Sequence, residues 1–205
     1  LAQAPNGTCA TATQIFATGP IVSSNAGEPD ALDTAGGNIP SPPCRTGTVK
    51  DVFFFFNATA TGNHVFSTNN VGLPPLSPPE NTDTVLQVFR FTGAPCASST
   101  VAVACNADLS GSNFRSTVTA SLTAGLTYHV RVGSWSSFDP SGNFYLNVTE
   151  PPPSLVVTST VTPATPVLSG SAVTIDVTVA TSNGSPLNGS EAVTADTTLI
   201  GGAPG

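Results

Sequence analysis

Apolar side chains recur at every second position in several stretches of this chain. In LTYHVRV (126–132), Leu126, Tyr128, Val130 and Val132 share one face, and Thr127, His129 and Arg131 the other. NFYLNVT (143–149) sets Phe144, Leu146 and Val148 against Tyr145, Asn147 and Thr149. VTIDVTV (173–179) repeats the alternation with Val173, Ile175, Val177 and Val179 inward. A period of two belongs to a half-buried β-strand, and no stretch sustains the 3.6-residue period of a helix. Turn clusters such as TAGLT, DPSGN and SNGSPLNGS separate the runs. Many short strands between Gly, Pro and Asn turns predict an all-β sandwich or barrel.

One run breaks the alternation. In DVFFFF (51–56), Val52, Phe54 and Phe56 fall on one face and Phe53 and Phe55 on the other. A strand apolar on both faces is a central strand covered on both sides. Burying each Phe contributes roughly 1.5–3 kcal/mol. In a two-layer sandwich one face enters the core, so the other needs a roof. The Ala26–Pro43 segment or a neighbouring subunit would supply it, which makes Phe53 and Phe55 the candidate interface residues.

The sequence Glu150-Pro151-Pro152-Pro153-Ser154 interrupts the strand pattern. Three prolines remove three backbone donors and stiffen the chain. A first domain over residues 1–150 is therefore expected, followed over 151–205 by a Pro-rich linker and an incomplete second domain. Its strands are expected at Leu155–Val161, Val173–Ala180 and Ala192–Leu199. Three or four strands are about half an immunoglobulin-like sandwich. Half a sandwich exposes a core face and an unpaired edge, so either the polypeptide continues or a neighbouring chain completes the sheet. Val71–Asp83 (VGLPPLSPPENTD) is too rich in proline for a strand and reads as an ordered surface loop.

Composition narrows the setting. Only 8% of residues are charged, and the net charge is −7 with five basic residues. Phosphate binding needs clustered Lys and Arg, so nucleic acid is excluded as a partner, and docking on anionic lipid is disfavoured likewise. No apolar run approaches the ~20 residues that span a bilayer, so no direct membrane insertion is expected. Cys9, Cys44, Cys96 and Cys105 form an even set without a CxxC pair, and two histidines complete no zinc spacing. Of three pairings, the sequence-local one, Cys9–Cys44 with Cys96–Cys105, is the expected choice, contributing roughly 3.8 and 2.6 kcal/mol by loop closure. Free buried thiols are the alternative. Disulfides place the protein in an oxidising compartment, secreted or on the cell surface. Ala2-Gln3-Ala4 has the small-x-small form of a signal-peptidase site.

The blocks occur in an informative order: an early Cys, Asp51 heading an aromatic strand, ATGNHVFST (60–68), DTVLQVF (83–89), ACNAD (104–108), LTAGLTYHVRV (122–132) and GNFYL (142–146). Over about residues 6–149 this resembles the bacterial pre-peptidase C-terminal (PPC) domain. The resemblance implies a jelly-roll-type antiparallel β-sandwich appended to secreted peptidases or strung along large surface proteins. Family members often carry Trp or Tyr where this chain has Phe53 and Phe54. Their block after the cysteine often reads Asn-Asp-Asp, whereas Ala107 stands in the middle here. Ser190–Gly202 resembles the first half of a bacterial immunoglobulin-like module, implying a partial immunoglobulin-like β-sandwich after the first domain.

No catalytic constellation emerges. His64 and His129 are the only imidazoles, and both are expected as exposed strand residues rather than bases. No Ser sits in a GxSxG elbow. Paired carboxylates for glycosidase-type chemistry are hard to assemble: Asp30 and Asp33 lie in a Gly- and Pro-rich loop, while Asp51 and Asp83 head strands as turn caps. Calcium is the one cofactor the donors suit, through Asp83, Asn106 and Asp108 near strand ends, with turn capping as the competing role. Trp135, Phe138 and Tyr145 are the aromatics a glycan-binding face would use, although Trp135 is expected to pack over a hairpin end. The sequons at Asn6, Asn57, Asn147, Asn183 and Asn188 would be mostly bare in a bacterial protein. These expectations describe a non-enzymatic structural or adhesive module of a secreted or cell-surface protein. It would pair strands with copies of itself or meet other surface proteins, building a filament or layer. An accessory domain of a secreted hydrolase and a carbohydrate-binding module are the alternatives.

Overall fold

The computed structural model describes residues 4–29, 39–47, 49–96, 99–152, 155–162 and 174–181. They form a short 3-10 helix, Cys9–Thr11, and strands β1 (Thr13–Gln14), β2 (Ile21–Ser24), β3 (Val49–Asn57), β4 (Gly62–Ser67), β5 (Thr84–Phe91), β6 (Thr100–Asn106), β7 (Thr117–Leu122), β8 (Thr127–Ser134), β9 (Asn143–Thr149), β10 (Leu155–Thr162) and β11 (Thr174–Thr181). The chain divides into two compact units, Leu1–Pro151 and Pro152–Gly205, at the run of prolines.

The first unit is a β-sandwich. One sheet has the order β1-β3-β8-β5-β6 and the other β2-β9-β4-β7. All pairings in it are antiparallel except that of β1 with β3. Only β5 and β6 are both consecutive in sequence and paired. Every other step between successive strands crosses from one sheet to the other, so the central pairs are assembled from distant parts of the chain.

Register follows the alternation. Val52 opposes Val132, which opposes Leu86, while Phe54 opposes Val130, which opposes Val88. These residues meet Phe66, Val118, Ala120, Leu122, Phe144, Leu146 and Val148 of the facing sheet in one buried core. Phe54 meets Phe144 edge-on with centroids 6.4 Å apart, and Phe56 meets Phe66 at 5.6 Å.

The same register puts Phe53, Arg131 and Gln87 side by side on the outer face, followed by Phe55, His129 and Phe89. That face is roofed from within the chain. Asn6 exchanges hydrogen bonds with the backbone of Phe53, and Thr13 aligns with Phe54. The residues between them leave the sheet edge and carry Cys9 onto the outer face. There Cys9, Ile39, Phe53 and Phe89 form a second buried cluster. Phe53 has no exposed surface, so it is unavailable as an interface residue; Phe55 keeps partial exposure.

Arg131 was expected on a polar, solvent-facing side and Asp51 as a turn cap. Both are buried instead. Arg131 Nη2 donates to Asp51 Oδ2, and Nη1 donates to the Pro40 carbonyl at 3.0 Å. The roof excludes water from the pair, and charges buried together need this mutual compensation.

The disulfides also differ from expectation. Cys9 bonds Cys96, and Cys44 bonds Cys105. Cys96 and Cys105 cannot pair locally because β6 runs extended between them. Thr100 to Cys105 alone spans roughly 17 Å, whereas a disulfide needs Cα atoms closer than about 7 Å. Each bridge instead ties the roof to β6 or to the turn before it, closing loops of 87 and 61 residues. Loop-closure entropy for such spans is about 4–5 kcal/mol apiece.

On the opposite sheet the Pro-rich stretch after β4 is an ordered loop, as expected. Tyr145 Oη donates to the Pro74 carbonyl at 2.9 Å, and Asn143 donates through its backbone to Pro79 and through its side chain to Ser77. Gly142 passes so close that a Cβ would lie 2.2 Å from the Pro79 oxygen.

In the second unit β10 and β11 pair antiparallel from Leu155↔Thr181 to Thr162↔Thr174, close to two of the three expected strands. Ala192–Leu199 lies outside the described residues. Val157 and Val177 of this hairpin are 60% and 41% exposed.

Two outcomes test this architecture. Trypsin cuts after Arg45, Lys50, Arg90 and Arg115, leaving Cys9 and Cys44 in residues 1–45 and Cys96 and Cys105 in residues 91–115. Without reductant these fragments remain joined, seen as one mass; sequence-local pairing would release them separately. Asp51→Ala leaves Arg131 buried without its carboxylate, and urea denaturation should show a loss of about 3–5 kcal/mol.

Candidate functional site

The end of the sandwich where β5 begins and β8 finishes gathers buried polar side chains. Thr68 Oγ1 and Thr84 Oγ1 lie 2.6 Å apart, and the Ser116 backbone N–H donates to Thr68 Oγ1 at 2.9 Å. Asn25 Nδ2 donates to the Lys50 carbonyl and to Ser134 Oγ, each at 3.0 Å, while its Oδ1 accepts from Gly142 N–H at 2.9 Å. Asn81 reaches the same Ser134 hydroxyl at 3.2 Å and offers its carbonyl to Arg115, which also pairs with Glu80 at 2.9 Å. Short polar side chains thus stand in for sheet hydrogen bonds where the strands end, as buried backbone groups require.

This network holds the loop after β8 in place. Lys50 sits at a register shift in β3 with φ 57°, a left-handed conformation uncommon for a non-glycine residue. From there Nζ donates to the carbonyls of Ser137 and Asp139, both at 2.9 Å. Ser136 Oγ donates to Asp139 Oδ2 at 2.5 Å, and Asp139 N–H donates to the Ser136 carbonyl at 3.2 Å. At the tip of this pinned turn Phe138 is 98% exposed. Beside it the Arg45 guanidinium lies 4.0 Å from the Trp135 ring centroid, and Nε donates to the Trp135 carbonyl.

Asp83 stands at the centre of this end. Its backbone accepts from Trp135 N–H and donates to Asn81 Oδ1, but its Oδ1 is buried without a hydrogen-bond partner. Burial first, then repulsion from Asp139 and Asp108, raises its pKa to about 6, with Arg45 opposing. The expected calcium donors are therefore only partly united. Asp83 and Asp108 sense each other, whereas Asn106 Oδ1 accepts from Thr117 N–H at 3.3 Å. Among the described residues no three His, Cys, Asp or Glu side chains approach closely enough to hold a metal ion.

The histidines depart from expectation, since both are buried. His64 is on the core face, edge-on to Phe56 at 5.5 Å, with Nδ1 3.1 Å from the Gly62 carbonyl and Nε2 3.9 Å from Glu150. His129 lies among Phe91, Phe89 and Phe55 with centroids at 4.7, 5.8 and 6.5 Å, and burial lowers its pKa. Among the described residues neither ring makes a hydrogen bond to a Ser, Thr or Cys side chain. The three aromatics named for glycan binding form no platform: Tyr145 is buried under the Pro-rich loop, Trp135 is stacked by Arg45, and Phe138 alone projects. Asn6 is buried with its amide bonded to Phe53, so that sequon is closed; Asn57 is exposed, and Asn183 and Asn188 lie outside the described residues. Asp30 and Asp33 lie outside them as well.

The protein is an all-β, disulfide-braced sandwich whose described ionisable groups serve mainly to seal faces and fasten loops. Its two disulfides are compatible with an extracellular protein, and among the described residues no helix is long and apolar enough to cross a membrane. Comparison with known proteins returns no matching family model, no matching curated protein and no matching solved structure.

The raised pKa of Asp83 has a definite sign. The folded state holds this proton more tightly than the unfolded chain, so stability is fullest below about pH 3.8 and falls as pH rises toward 6. Asp83→Asn should melt higher than wild type at pH 7, by a few degrees, and the gain should vanish by pH 4 in thermal scans. A constant offset at both pH values would refute the burial argument.

Proposed function

We propose that this chain is a non-enzymatic structural or adhesive module of a secreted or cell-surface protein, and that it associates with copies of itself through unpaired strand edges. The observation that carries the reading is the absence of charge on those edges. In the first unit the outermost strands are β1 (TQ), β6 (TVAVACN), β2 (IVSS) and β7 (TVTASL). Proteins that must stay apart guard sheet edges with Lys, Pro, inward charges or bulges; these four strands carry no Lys, Pro or charge, and of the four the pairings show a register shift in β6 alone. The second unit adds support. Among the described residues β10 and β11 have no third strand, and an isolated two-stranded ribbon is marginally stable in water.

The resemblance of the first unit to the PPC sandwich agrees with this role, since such modules are appended to secreted proteins. Attachment to a secreted hydrolase remains compatible with the same fold. A glycan-binding role has weaker support, because the three aromatics share no face.

Light scattering after size-exclusion chromatography, combined with negative-stain imaging, tests the reading on the full chain. Species larger than a monomer, growing with protein concentration, are the expected result. A monomer across micromolar to near-millimolar concentrations would overturn it.

A further inference from the structure

Asp139-Pro140 is the single Asp–Pro pair in the sequence. Such a bond is a weak point, because the side-chain carboxylate can reach its own carbonyl carbon and the leaving nitrogen belongs to a tertiary amide without an N–H. Here the carbonyl of that bond accepts a hydrogen bond from the Lys50 ammonium at 2.9 Å. A second bond from the same Nζ, to the Ser137 carbonyl at 2.9 Å, fixes the ammonium in place. Lys50 reaches the turn from a left-handed backbone conformation, φ 57°, at the register shift in β3. Backbone held in a sparsely populated region is a pointer to function, and what this backbone delivers is a cation on one peptide carbonyl.

The carboxylate of Asp139 is placed as well. Ser136 Oγ donates to Oδ2 at 2.5 Å, which leaves Oδ1 as the oxygen that turns toward the carbonyl carbon. Asp139 is half-buried and Pro140 is exposed, so solvent reaches the nitrogen that has to take up a proton. The chain is anchored on both sides of the bond. Asp139 N–H donates to the Ser136 carbonyl at 3.2 Å, and Gly142 exchanges two hydrogen bonds with Asn25, at 3.1 and 2.9 Å. A nucleophile within the same residue and a fixed donor on the developing oxyanion are what a peptide bond needs to be activated.

We infer that the chain cleaves itself between Asp139 and Pro140, with Lys50 stabilising the oxyanion. Asp139 Oδ1 forms a bond to its own carbonyl carbon, and the carbonyl electron pair moves onto the oxygen held by Lys50. That pair returns as the C–N bond breaks, and the Pro140 nitrogen takes a proton from solvent and leaves as a secondary amine. Water then opens the cyclic anhydride, so both carboxyl groups end on Asp139. The cut falls between β8 and β9. All four cysteines stay in residues 1–139, and no disulfide joins the two pieces. Because β9 pairs with both β2 and β4, the product is a nicked sandwich whose carboxy-terminal piece is held by packing alone. The reaction is a single turnover and is independent of self-association.

Intact-mass spectrometry of the full chain, incubated in mild acid without reductant, tests it. Two fragments are expected, residues 1–139 and 140–205, together one water heavier than the chain, with Pro140 as the new amino terminus. Their rate of appearance should not depend on protein concentration. The same chain in urea at the same pH, with its disulfides intact, should cleave at least about tenfold more slowly, because the fold no longer holds Lys50 on the carbonyl. Lys50→Gly should cleave at that slower rate while still melting cooperatively, since glycine adopts the left-handed conformation without its side chain. Asp139→Ala should not cleave at this bond. An uncut folded chain, equal rates in buffer and urea, or a Lys50→Gly chain that folds and cleaves at the wild-type rate would each overturn the inference. The comparison in urea uses the unaltered sequence, so it decides the matter even where a variant fails to fold.

Discussion

Two of the three central strands of the larger sheet, β3 and β5, carry phenylalanines on their outer face as well as apolar residues on their inner one, and a two-layer sandwich provides only one interior. This mismatch governs the first unit. Val52, Phe54, Val130, Val132, Leu86 and Val88 fill the space between the sheets, leaving Phe53, Phe55 and Phe89 to be covered from outside. The chain answers with its own amino-terminal excursion and the segment around Ile39 and Pro40. Such a roof has little secondary structure of its own, so its attachment rests on covalent bonds. Both disulfides run from the roof to β6 or the turn before it.

Covering that face has electrostatic consequences. Arg131 and Asp51 lie on it, and once roofed neither can be solvated, so each depends on the other and on the Pro40 carbonyl. His129 is enclosed by the same cover and is held toward its neutral form. A buried ion pair is weak evidence for net stability, but it penalises any register other than the one that brings the two charges together. Slipping β3 by one residue would separate them and turn the phenylalanines over.

The loop end of the sandwich works by another means. Asn25, Asn81 and Ser134 form a buried hydrogen-bonded cluster that joins the chain before β3, the start of β5 and the end of β8. The Lys50 ammonium then fixes the next turn. The result is a hydrogen-bonded turn that displays Phe138, beside an Asp83 whose pKa burial and like charge raise to about 6.

Strand positions were legible because side-chain alternation is a local property. LTYHVRV, NFYLNVT and the Phe run became β8, β9 and β3, and the proline run marks where the two units divide. The roles of the outward residues were not legible. Alternation separates two faces of a strand but does not say what covers the second one, so His129, Arg131 and Asp51 read as exposed or capping. Disulfide pairing failed for the same reason: proximity along the chain favoured Cys96–Cys105, while the extended β6 holds them apart. The Asn25–Ser134–Asn81 cluster left no periodic trace, since its members are scattered short polar residues in loops. The sequence by itself determined the class of structure, its strands and an aromatic strand needing cover on both sides. Tertiary structure decided which segment supplies that cover, which cysteines meet and which phenylalanine stays outside, because those depend on contacts between residues far apart in the chain.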